Sequence, residues 1–431
     1  MQSARDHLEA ILSPLAARVD DERVFVKLYP EAARAAADAT DARRKAGVTL
    51  GPLDGAIVSI KDLFDVAGEP TTAGSLLLAN AAPALRDAIV VQQLRQAGAI
   101  ILGKTNMTEF AFTAIGVNPH YGTPGNASDA SRIPGGSSSG AGVSVGEGTS
   151  EISIGSDTGG SVRIPASLNG VVGFKPTARR VPLAGAFPLS ATLDSIGPLA
   201  RTVAECAAAD AVMSGENLAA LLPLPLDGLR IGIARGVLFD DTQEEVATTF
   251  DRCLRKIELS GARLVELSID DLLADLRVAT QRASIAAMEG AEIHADWLAT
   301  GATRPVDPRV SGPLARAAAI PATVYIRAMR RRTALAAAMD DRLASVDVLA
   351  LPTTPVTAPT IVSMTSDEAL CNRTEGLLLR NTQVANQFDL SAISLPMPGM
   401  TRPAGLMLVA RNDHDHHLLR IAAGVEGLLA N

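Results

Sequence analysis

An α/β fold built on a large mixed, twisted sheet, with helices over both of its faces, is what this sequence predicts. Three observations carry that expectation. Strand-like apolar runs alternate with segments of helical spacing along most of the 431 residues. An early strand–helix–strand unit, at 56–60, 87–97 and 99–102, has the crossover that parallel pairing requires. Apolar residues make up 47% of the chain against 20% charged, which is enough to bury a sheet on both sides.

In chain order, 2–18 and 29–46 place Ala and Leu on one face and charges on the other, and read as helices. After the strand–helix–strand unit comes a short small-residue strand at 151–154. Strands are expected again at 171–174, 230–234, 263–267, 346–351 and 405–409. Helices are expected at 202–213, 242–260, 276–299, 310–344 and 415–430. No linker, repeat or block of like charge divides the chain, so residues 1–431 read as one domain. Its motifs gather at 50–200. The section at 215–345 is more helical, carries no chemical motif, and is expected to shape a substrate pocket.

Composition excludes several classes. With 39 basic and 47 acidic residues the net charge is −8, and no basic footprint for nucleic acid exists. Arg330, Arg331 and Arg332 read as a solvated helix face. Cys206, Cys253 and Cys371 are odd in number and far apart, so neither disulfides nor metal-ligand spacing is expected, and Cys206 and Cys253 read as buried core thiols. The N-terminus mixes charges, and no apolar run has the length of a membrane span. A cytoplasmic protein without membrane contact is expected.

The chemistry lies in loops rich in glycine and serine. Gly155-Ser-Asp-Thr-Gly-Gly-Ser-Val-Arg-Ile-Pro165 puts Ser161 directly after a Gly-Gly pair. Glycine allows close backbone approach, and the N–H groups of Thr158, Gly159, Gly160 and Ser161 can converge on one carbonyl oxygen as an oxyanion hole. Pro134-Gly-Gly-Ser-Ser-Ser-Gly140 places Ser137 in a second such loop upstream. A serine hydroxyl needs a base. The six histidines (His7, His120, His294, His414, His416, His417) all lie outside the glycine-rich motifs. Ile57-Val-Ser-Ile-Lys61 instead ends an apolar run on a lysine, and burial would disfavour its ammonium form.

Taken in order, Val58-Ser-Ile-Lys-Asp62, Gly103-Lys-Thr-Asn-Met-Thr-Glu-Phe110, the two serine loops and Gly173-Phe-Lys-Pro176 resemble the amidase signature family. Asn381-Thr-Gln-Val-Ala-Asn386 and Ile393-Ser-Leu-Pro396 extend the resemblance over nearly the whole chain. It implies a single α/β/α domain of about eleven strands. It also implies a serine amidohydrolase, without cofactor or metal, acting on amides, ureides or carbamates. By this resemblance Ser161 is the acyl-enzyme nucleophile and Lys61 the terminal base. Ser137 is the bridging serine, reached through a cis Gly136–Ser137 peptide. Asp157 and Arg163 flank the nucleophile and are expected to pair with backbone or with each other, holding the loop. Many members read Gly-Gly-Ser-Ser-Gly-Gly-Ser where this chain has Ser139-Gly140-Ala141. That departure leaves the three catalytic positions intact and touches only local loop contacts.

Other patterns are set aside. Gly136-Ser-Ser-Ser-Gly140 matches G-x-S-x-G around Ser138, but the sequence before it is loop rather than strand. Gly140-Ala-Gly-Val-Ser-Val-Gly146 resembles a degenerate dinucleotide loop and lacks the preceding strand. Asp413-His-Asp-His-His417 reads as the polar first turn of the last helix rather than a metal site. The expected partner is a small-molecule amide, with a homodimer or a small partner subunit left open. A second function stays in view, the glutaminase component of a tRNA-dependent amidotransferase, which would make ammonia for a partner enzyme.

Overall fold

Ser3 caps the first helix, α1 (Ala4–Ala17), by accepting from the Asp6 N–H, and Leu8, Leu12 and Leu15 form its buried face. The computed structural model describes residues 2–18, 22–216, 220–281 and 283–430. β1 (Phe25–Leu28) leads into α2 (Pro30–Lys45), which starts on a proline and ends on Arg43, Arg44 and Lys45, as the helix dipole favours. The expected unit follows as β2 (Ile57–Lys61), α3 (Ile89–Gln96) and β3 (Ile100–Thr105), with β2 and β3 paired in parallel. The motif-bearing stretch folds as α4 (Ser139–Glu147), β4 (Ile152–Asp157), α5 (Arg163–Asn169), β5 (Val172–Lys175) and β6 (Ser195–Ala200).

Next come α6 (Val203–Ser214), β7 (Arg230–Ile233), α7 (Glu244–Leu259) and β8 (Arg263–Glu266). The helix expected at 276–299 is three: α8 (Asp270–Ala279), α9 (Ile285–Ile293) and α10 (Ala295–Thr300). The one expected at 310–344 is two, α11 (Pro308–Ala318) and α12 (Ala322–Leu343), because Pro321 cannot continue a helix and serves as the N-cap of the second. β9 (Val348–Pro352) and α13 (Ile361–Ser366) precede the 20-residue α14 (Glu368–Gln387). β10 (Ser391–Pro396), β11 (Gly405–Ala410) and α15 (Asp415–Leu429) complete the described chain.

Among the described residues the strands form one sheet of eleven, in the order β1-β3-β2-β4-β6-β5-β10-β11-β9-β7-β8. Parallel pairs at β3-β2-β4 and β9-β7-β8 flank an antiparallel centre, so the sheet is mixed. Alternation along each strand feeds two cores. Val348 and Ala350 of β9 join the cluster under α6, α7 and α15, while Leu349 and Leu351 join the one under α12 and α14. Both faces are therefore covered. Cys206 and Cys253 are buried on α6 and α7. The arginine cluster divides: Arg330 and Arg331 are exposed, but Arg332 is buried and donates to the Asn386 carbonyl at 3.0 Å. One helical step of rotation separates solvent from core.

Candidate active site

β2 and β4 are parallel neighbours, so their C-terminal ends present Lys61 and Ser156-Asp157 at one edge, and the Ser161 loop follows β4 directly. Ligand crevices form at such strand ends. Lys61 is fully buried. Its Nζ donates to Ser137 Oγ at 2.7 Å and to Ser156 Oγ at 2.9 Å. Burial pushes the Lys61 pKa down to about 7, against the pull of Asp194 and Asp157. The Gly136–Ser137 peptide is cis. The Thr108 N–H donates to the Ser137 carbonyl at 3.0 Å, and the Ser138 N–H donates to the Ser161 carbonyl at 3.3 Å, which ties the two serine loops together.

Ser161 opens onto a cleft of about 960 Å³, with Thr158 and Gly159 beside it. Among the described residues, the N–H groups of Gly159, Gly160 and Ser161 have no protein acceptor. Unclaimed donors in a loop that borders a cleft are groups an oxyanion can use. The Gly160 backbone has φ +139°, and a Cβ there would collide with Thr382. Thr382 Oγ1 donates to the Gly159 carbonyl at 2.7 Å, so α14 holds the loop from the other side. The Thr158 hydroxyl donates to Asp194 at 2.5 Å.

Asp157 and Arg163 lie behind this loop, both fully buried. Arg163 grips the carboxylate with Nε (3.0 Å) and Nη2 (2.8 Å), and its remaining donors reach the Thr382 carbonyl (2.7 Å) and Asn386 Oδ1 (2.8 Å). Asn386 Nδ2 donates back to Asp157 Oδ1 at 2.9 Å. Burial, the largest single influence, raises the Asp157 carboxyl, but the charge and hydrogen bonds of Arg163, the Lys175 charge and the Asn386 amide together outweigh it and hold the pKa at about 2. The pair faces away from the cleft lining and braces it.

The far walls of the cleft come from the start of α11, inside the section 215–345, and from α14, a helix that the sequence did not predict. Asp307 and Arg309, at the start of α11, pair through three side-chain contacts, Nε–Oδ1 at 3.0 Å, Nε–Oδ2 at 3.1 Å and Nη2–Oδ2 at 2.6 Å. Cys371, Glu375, Leu379, Gln383 and Gln387 of α14 line the cleft at intervals of one turn. The four-residue spacing is present in the sequence, but its mixture of apolar and polar residues resembles no amphipathic face. Trp297 and Tyr325 do not line the cleft: the indole donates to His294 Nδ1 at 2.9 Å and the phenol to Glu289 at 2.6 Å. Asp415 is buried and accepts from the Thr177 N–H and hydroxyl, each at 2.7 Å, while His416 pairs with Glu216. Asp415 thus ties α15 to the segment after β5, and His416 ties it to the segment after α6.

Comparison with known proteins shows the family. The family model described as Amidase matches residues 7–419. The 2-amino-5-chloromuconic acid deaminase of Comamonas testosteroni is 36% identical, over 92% of this chain and 86% of its own. The AtzE component of 1-carboxybiuret hydrolase from Pseudomonas sp. (strain ADP) is 34% identical, over 95% and 91%. A glutamyl-tRNA(Gln) amidotransferase component from Synechococcus sp. (strain RCC307) is 33% identical, over 97% and 93%. Among solved structures, an amidase superposes with TM-score 0.88 at 32% identity, over 99% of this chain and 96% of that one. The peptide amidase of Stenotrophomonas maltophilia superposes with TM-score 0.82 at 27% identity, over 100% and 94%. This chain belongs to the amidase family and is a hydrolase of C–N bonds.

Proposed function

We propose that this amidase cleaves a small amide through an acyl-enzyme on Ser161, with Ser137 and Lys61 as its proton relay. The contact of a fully buried Lys61 Nζ with Ser137 Oγ at 2.7 Å carries the reading. Ser161 Oγ attacks the carbonyl carbon. Its proton passes to Ser137 Oγ as Ser137 yields its own to neutral Lys61. The carbonyl oxygen, now anionic, takes the N–H groups of Gly159, Gly160 and Ser161. The C–N bond breaks as the proton returns through Ser137 to the leaving nitrogen, which departs as ammonia or an amine. Water then enters, gives a proton to the same relay and attacks the ester carbon. This releases a carboxylic product and restores Ser161.

We read Asp157 and Arg163 as positioning residues for the loop, and Thr158 as part of its donor edge. The section at 215–345 contributes pocket shape through Ala287, Asp307 and Arg309, with α14 adding a wall beyond it. A cytoplasmic location accords with the net charge of −8, and among the described residues no helix is long and apolar enough to cross a membrane.

A second reading draws on the similarity to the glutamyl-tRNA(Gln) amidotransferase component, and makes this chain a glutaminase serving a partner enzyme. Ammonia release from primary amides, ureides and glutamine, with Ser161→Ala as control, separates the two. Turnover of a free amide by the isolated chain supports the first reading. Activity on glutamine that appears only with a partner protein supports the second, and turnover undiminished in Ser161→Ala overturns both.

A further inference from the structure

α14 passes the Ser161 loop at a fixed register, because Leu379 packs against Gly159 and Thr382 holds the Gly159 carbonyl. Glu375 lies on the same cleft-lining stripe, one turn or about 6 Å along the axis from Leu379. Its Oε1 accepts from the Ala114 N–H at 2.6 Å, and the Ala114 carbonyl accepts from the Gly136 N–H at 2.7 Å. Backbone therefore sets the depth of the carboxylate. An ionised carboxylate has about four acceptor sites, so capacity is left over for whatever fills the cleft.

The groups around it leave that capacity unclaimed by any dedicated cation. Arg309 and Asp307, at the start of α11, face Glu375 and are paired with each other. Cys371 stands one turn back on α14. At the mouth, Arg316 and Glu368 are opposite in sign. With Glu375 ionised, the charged groups lining the cleft sum to a net negative charge; with Glu375 protonated, they balance.

We infer that Glu375 reads the substrate, accepting from an amino or amide nitrogen carried about one helical turn from the scissile carbonyl, and disfavouring a carboxylate at that place. This rests on the amidase reading of the Ser161 site. Burial pushes the Glu375 carboxyl up to about 7, against the backbone N–H groups of Ala114 and Ile115 and the Arg309 charge. Recognition of a donor therefore strengthens as pH rises through that value. Lys61 loses its proton over the same interval, so the two effects share a sign. They separate by parameter, Lys61 acting on the chemical step and Glu375 on binding.

The test uses the full chain and three primary amides with four-carbon acyl groups ending in amino, methyl or carboxylate. Michaelis parameters are taken for wild type, Glu375→Gln and Glu375→Asp from roughly pH 6 to 9, where the aliphatic amine stays charged. Wild type is expected to prefer the amino amide over the carboxylate by about tenfold or more in kcat/KM. Glu375→Gln, which still accepts from Ala114, is expected to shrink that preference to about threefold or less through KM, and to abolish the fall of KM with pH. Glu375→Asp should restore part of the preference. Unfolding midpoints confirm that the variants are folded. A ranking unchanged in Glu375→Gln, or a wild-type preference for the carboxylate, overturns this inference alone. Wild type that turns over none of the three overturns the reading of Ser161 as serving a small free amide, and this inference with it.

Discussion

Asp157, outside the cleft lining, and Glu375, within it, are acidic side chains whose surroundings drive their pKa values apart. Burial opposes ionisation of both. Asp157 meets a guanidinium that grips it through two nitrogens, and its pKa is held at about 2. Glu375 meets backbone N–H groups and an arginine already engaged by Asp307, and its pKa stands at about 7. A buried carboxylate with every acceptor site answered is architecture; one with capacity turned into a cleft is available to a ligand. The same contrast divides the molecule. The loops around β2 and β4 carry the residues proposed to react, on a braced frame, and α9, α11, α13 and α14 supply walls of the cleft.

The sharpest way to break this comparison is at the frame. Ser161→Ala is expected to lower kcat by about 10³-fold or more while leaving the fold intact, as activity and circular dichroism together would show. Retained turnover would move the nucleophile elsewhere. Lys61→Ala should also leave little activity near neutrality. In the wild type, the neutral fraction of Lys61 rises with pH, so kcat is expected to climb through about 7 and then level. A kcat that falls over that interval contradicts a lysine base.

Smaller effects test the bracing. Arg163→Ala leaves Asp157 charged and buried without its partner, and should cost about 3–5 kcal/mol in denaturant unfolding. Glu375→Gln, at the other carboxylate, should cost about 1 kcal/mol or less. Equal costs would erase the distinction drawn here. Gly160→Ala forces a side chain into φ +139° and against Thr382. The expected stability loss is about 1–3 kcal/mol, with a fall in kcat that exceeds any change in KM as the oxyanion donors shift.

Legibility followed the range of the interactions involved. The Ser161 loop was readable because its chemistry is local: a Gly-Gly pair, a serine and the N–H groups between them lie within a few residues. β2, α3 and β3 were readable because two short apolar runs bracket a segment of helical spacing. α14 was not expected. Its buried residues include Thr374, Asn381, Thr382 and Asn386, and the last three find partners in Pro352, Gly159 and Asp157 from elsewhere in the chain. Such a helix shows no apolar stripe to a reader of sequence. The breaks within 276–299 and 310–344 went unread for a related reason, since alanine-rich spacing continues across Pro321.

By itself, then, the sequence determined which loops hold the candidate serines, the mixed α/β class and the family resemblance, all of which reside in short contiguous patterns. The tertiary structure alone decided that Lys61 is basic in the useful range, because its desolvation comes from the elements packed around β2 rather than from its neighbours in sequence. It alone decided that Asn386, from far along the chain, completes the Asp157–Arg163 pair that the sequence led one to expect, and that Glu375 lines the cleft. Burial and pairing across hundreds of residues are properties of the packed chain, and no local pattern encodes them.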